Sequence, residues 1–141
     1  MSVIPGTRKL GSSQFLGLPK PAVGFYDFDV DGGAVSTIPL RGDTIPSGAI
    51  IVDSLLQVDT VLAGGTGTDD VSIDVESAGD IQAAGDRTAA PWDSTGAKRG
   101  SLTATSAPVA TTAERSIAFT IAGSALTAGA FRAVVWYVEL V

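Results

Sequence analysis

The chain has 141 residues, a length that suits one domain with a sizeable core. It contains neither Cys nor His, which excludes disulfides and thiolate metal sites and removes the imidazole used by most acid–base and metal chemistry near neutral pH. A formal charge of −6 argues against a nucleic-acid groove, and the longest apolar runs, residues 49–52 and 133–138, fall far short of the roughly 20 residues of a membrane helix.

Residues 1–21 hold Pro5, Pro19, Pro21 and no sustained period of either kind, which predicts an extended N-terminal arm. The two cations of MSVIPGTRKLGSS precede no apolar stretch, so this start does not read as a secretory signal. Arg8, Lys9 and Lys20 lie in the arm with no acid, whereas residues 49–86 contain eight Asp or Glu and no Lys or Arg. A basic arm on an acidic body suits an acidic partner surface, because complementary potentials fix register and speed docking.

From Ala22 the period becomes two. Tyr26, Phe28 and Val30 alternate with Asp27, Asp29 and Asp31, which predicts one strand over residues 25–31. Asp31-Gly32-Gly33 then suits a hairpin turn into a second strand at 34–40. In residues 49–62, Val52, Leu56, Val58 and Leu62 share a predicted core face with Ser54 and Thr60, and Asp53, Gln57 and Asp59 take the other. After the loop AGGTGTDD, Val71, Ile73 and Val75 alternate with Ser72, Asp74 and Glu76. Residues 77–114 read as loop with short strands near 81–84 and 101–105. Ile117, Phe119 and Ile121 resume the alternation, and the last strand, 131–140, puts Val134, Trp136, Val138 and Leu140 on one side and Ala133, Val135 and Tyr137 on the other. A strand apolar on both faces is usually covered on both, here by the core and by a neighbouring subunit.

About eight short strands and almost no helical period predict an all-β fold: a two-sheet antiparallel β-sandwich of jelly-roll type over residues 22–141, preceded by the arm 1–21. An immunoglobulin-like sandwich and a small barrel are the alternatives.

The candidate motifs are weak. Asp27-x-Asp29-x-Asp31-Gly32 opens like a calcium loop, but its twelfth position is Ile38 where a bidentate Glu belongs. Asp69, Asp70, Asp74, Glu76 and Asp80 have no fixed ligand spacing and read as a solvated rim. Gly64-Gly65-Thr66-Gly67 is followed by no Lys-Ser or Lys-Thr pair, and Arg41-Gly42-Asp43 matches an adhesive tripeptide while reading equally as turn chemistry. No Ser or Thr has a His to activate it, and a sandwich this small leaves little wall for a carboxylate-lined cleft, so no catalytic residue, metal or cofactor is expected. Trp92, in AAPWDSTGAKRG, is either an interface anchor or a plug at the end of the sandwich.

Taken together, IPSGAIIVDSLLQVDTVL, VSIDVESAGDIQAAGD, WDSTGAKRG and RSIAFTIAGSALTAGAFRAVVWYVEL resemble a group of small jelly-roll virion proteins of tailed bacteriophages, over about residues 45–141. These serve as capsid decoration (cement) proteins or as head-fibre and tail-associated modules. The resemblance implies a non-enzymatic homo-oligomer, often a trimer, on the outer capsid surface with the major capsid protein as partner and neither nucleic acid nor membrane. The partner-binding residues expected on that basis are Arg8, Lys9, Phe15, Leu16 and Lys20 of the arm, with Trp92, Val135 and Tyr137 on the sandwich. A receptor- or glycan-binding module using the loops around Trp92 and Arg41-Gly42-Asp43 is the alternative.

Overall fold

A computed structural model describes residues 18–65, 69–100 and 108–139. Its elements are strands β1 (Lys20–Asp27), β2 (Ser36–Ile45), β3 (Ala49–Gly64), β4 (Asp70–Asp74), β5 (Gln82–Asp86), β6 (Gly96–Arg99), β7 (Val109–Ala110), β8 (Arg115–Ala122) and β9 (Leu126–Glu139), with one helical turn, α1 (Phe28–Asp31), after β1. All pairings are antiparallel, in the order β5-β4-β8-β2-β1-β9-β3-β6, and β7 adds to β3. The first strand among the described residues begins at Lys20, inside the segment expected to be arm.

The predicted strand over 25–31 stops at Asp27. Its carboxylate accepts the Asp29 N–H at 3.0 Å as an N-cap, the Gly32 N–H closes the turn onto the Phe28 carbonyl at 2.9 Å, and Asp31 accepts the Asp27 N–H at 2.8 Å. Short side-chain acceptors offer the backbone this local alternative to a ladder, and here it wins over the alternation.

Two separate sheets were expected, but hydrogen bonding continues from one layer to the other through β2. Ser36–Pro39 and Thr44–Ile45 pair with β8, while Arg41 and Gly42 pair with Phe25 and Gly24 of β1. Between these two partnerships β2 advances from Pro39 to Thr44 while β8 advances only from Ala118 to Ser116, so the extra residues bend the strand. Gly42 makes the bend possible: its φ is +130°, and a Cβ there would lie 2.2 Å from the Val23 carbonyl oxygen. The result is one sheet curled on itself.

The core fills the curl. Tyr26 and Phe131 from β1 and β9 meet Phe119 from β8 at ring-centroid distances of 4.8 Å each, and Trp92 closes the cluster 5.3 Å from Phe131 and 5.8 Å from Phe119. Around them lie Ile51, Leu56, Val58, Val71, Ile73, Ile117 and Ile121, all buried. Four of these, with Phe119, lie at the positions that the alternation in β4 and β8 marks as inward.

Candidate interaction surface

The last strand, β9, lies between β1 and β3, so its two faces have different fates. Phe131, Ala133 and Val135 point into the core, with Val135 opposite Ala22 on one side and Ser54 on the other, both also buried. Val135 is 0% exposed and Tyr137 packs against the same core, which corrects the expectation that this side meets a partner. Both faces of the strand are apolar, so composition could not say which was inner. Cross-strand register decides it, and Val134, Trp136 and Val138 take the outer face.

That outer face continues across three strands. Directly opposed residues share a side of a sheet, so Val23, Val134 and Leu55 form one row across β1, β9 and β3, Pro21, Trp136 and Asp53 form the next, and Val138 faces Ile50 beyond it. Val52 joins this face although its alternation predicted the core. The pairing steps from Trp136–Asp53 to Tyr137–Ile51, leaving Val52 as the bulged residue, turned outward and 43% exposed. A shallow concavity of 420 Å³ lies between Pro19, Val52, Asp53 and Trp136.

Ion pairs border the apolar area. Both carboxylate oxygens of Asp53 accept from Arg99 at 2.9 Å, and Arg132 grips Asp59 at 2.7 and 3.0 Å. The Ser54 N–H and then Arg99 hold the Asp53 carboxyl below its usual range, and the Asp59 carboxylate raises the Arg132 guanidinium. At the end of the sheet Lys20 pairs with Glu139 at 2.7 Å. This places Lys20 on the sheet itself, while Arg8, Lys9, Phe15 and Leu16 lie outside the described residues.

The other candidates are occupied by the fold. Trp92 is 1% exposed and plugs the core, so it is not offered to a partner; its surroundings of small residues in AAPWDSTGAKRG had concealed how deeply the indole is packed. Arg41 is held by Asp31 at 2.9 and 3.1 Å and Asp43 accepts the Val23 N–H at 3.0 Å, so the adhesive-like tripeptide is the corner of the curled sheet. Asp31 of the calcium-like motif is engaged by that pair through both carboxylate oxygens.

The acidic cluster also has structural partners. Asp80 accepts the N–H groups of Val75, Glu76 and Ser77 at 2.8–2.9 Å, Asp69 is fully buried against Arg87 at 2.6 Å and also accepts from Ser124, and Glu76 accepts from Nε and Nη2 of Arg115 at 2.9 and 3.0 Å. Arg115 and Thr112 together pull the Glu76 carboxyl down to about 2. Among the described residues no group of three or more acidic side chains converges as a metal site.

A scan of protein-family models finds no match, and neither does a search of curated protein sequences. Solved structures do match in fold. A chain of the capsid of Ralstonia phage GP4 superposes with a TM-score of 0.65 at 20% identity, covering 99% of this chain and 90% of that one. A chain of the cyanophage Pam1 capsid asymmetric unit gives 0.62 at 19%, covering 99% and 93%, and one of the acid-stable capsid of the Helicobacter pylori bacteriophage KHP30 gives 0.59 at 16%, covering 89% and 90%.

Proposed function

We propose that this chain is a structural virion protein that binds the outer surface of a phage capsid as a homo-oligomer, a trimer in the simplest form, and stabilises the shell as a decoration (cement) protein. The observation that carries this reading is the sharing of one fold, over nearly the whole length of each partner, with chains from three phage capsids. The apolar outer face of β1, β9 and β3 supports it, since a sheet face of this kind is stable in water only at a cost that a protein neighbour removes. No activity is needed: a subunit that binds only the assembled shell stabilises it by mass action, by about 2.7 kcal/mol per site at a hundredfold excess over Kd.

In this reading residues 1–17, with Arg8 and Lys9, tie the sheet to the major capsid protein. Removing residues 1–17 leaves every described strand in the chain; with an unchanged far-UV spectrum for the truncated chain, capsids lacking the protein should take up the full chain at hundreds of copies while leaving the truncated one in solution. Equal occupancy by both would reject the arm's role, and uptake of a few copies at the tail would reject decoration. The receptor-binding alternative loses the residues it relied on, because Trp92 is core and Arg41-Gly42-Asp43 is a bend.

A further inference from the structure

We infer that the outer face of β1, β9 and β3 is the surface on which a second copy of this chain docks. This deepens the proposed homo-oligomer by naming its interface, and it rests on three observations. The apolar row Val23–Val134–Leu55 and its neighbour Trp136 form a continuous area across three adjacent strands, with no element of the described residues packed over it. The charges beside it are balanced within the chain, two arginines each bound to their own carboxylate at 3.0 Å or less, although the whole chain carries −6. A strongly charged partner gains nothing at such a rim, whereas two copies meet there without like-charge repulsion. Finally, the face carries both a projection and a recess: the bulged Val52, 43% exposed, stands at the edge of the 420 Å³ concavity that it lines with Pro19, Asp53 and Trp136. A projection beside a recess lets the knob of one copy enter the hole of the next, the head-to-tail match that closes a ring such as the proposed trimer.

The test uses the purified full chain. Sedimentation velocity over a wide concentration range should show an oligomer, and Val134→Glu, at an outward position that needs no repacking of the core, should weaken association by at least about tenfold with an unchanged far-UV spectrum. Leu55→Lys serves as a second variant should Val134→Glu fail to fold. In a Trp92→Phe background Trp136 is the sole tryptophan, and its emission should move to the blue as the oligomer forms. A chain that stays monomeric into the millimolar range overturns the inference and leaves capsid occupancy to decide decoration separately. An oligomer that survives both variants, with Trp136 still open to aqueous quenchers, also overturns it. Loss of capsid occupancy without loss of the oligomer assigns the face to a shell subunit instead.

Discussion

Replacing Trp92 separates a core plug from an interface anchor. The indole is 1% exposed and packs edge-on to Phe131 at 5.3 Å, so truncation to Ala removes a large buried ring and leaves a cavity, at a cost of about 3–5 kcal/mol. Against a typical stability of about 5–15 kcal/mol, that loss brings the folded state close to its limit. Trp92→Phe behaves differently. Among the described residues the buried Nε1–H has no hydrogen-bond partner, a defect that costs about 1–3 kcal/mol, so Phe relieves that penalty while giving up part of the ring. The two terms oppose each other, and Phe should stay within about 1 kcal/mol of the parent. Urea unfolding followed by far-UV circular dichroism, at one fixed protein concentration because association adds to stability, measures both variants. If Trp92→Ala unfolded at the parent's urea midpoint yet failed to associate, the placement of this ring in the core would be refuted.

Three further outcomes follow from the geometry. Gly42→Ala should destabilise by about 2 kcal/mol or more, because it combines a left-handed φ with a Cβ driven into the Val23 carbonyl; a thermal melt reads this, and an unchanged midpoint would remove the bend from its role. Asp69→Asn should cost about 3–5 kcal/mol, since it leaves Arg87 without its buried counter-charge; denaturant titration is the measure. Glu76 has its pKa depressed from 4.5 to about 2, so its contribution is complete above pH 4.5 and is lost as pH falls towards and through 2. Glu76→Gln should therefore flatten that part of the stability–pH profile, and identical slopes for parent and variant below pH 4.5 would show that Arg115 does not hold the carboxylate.

Strict alternation was informative wherever one face was apolar and the other polar. Ile117, Phe119 and Ile121 in β8 and Val71 and Ile73 in β4 all point inward as their period predicts. The method failed where the deciding interaction lay on another strand. Val52 reads as core by spacing, but a bulge opposite Trp136 shifts the phase, and only the partner's register reveals that. The final strand is apolar on both sides, so its sequence announced two covered faces while leaving their identities open, and Val135 and Val134 came out exchanged. Phe28–Asp31 shows a third kind of failure, in which Asp27 and Asp31 satisfy local N–H groups and a turn replaces the ladder that Phe28 and Val30 suggested. Trp92 lacked any periodic neighbour to announce its depth. The outer sheet face was legible in composition and illegible in place.

The pairing of β1 with β9 has a practical consequence. Lys20 lies opposite Tyr137, so the described chain enters and leaves the sheet at one corner, on adjacent strands spaced by about 4.8 Å. Peptides fused before Leu18 or after Glu139 would emerge side by side, and a short linker between those two residues would close the backbone into a ring. Opening that ring at the exposed Gly123, in the turn between β8 and β9 that leads into the opposite end of β9 from Glu139, would give a circular permutant whose ends lie away from the fused corner, allowing cargo and attachment to be carried by different ends of the molecule.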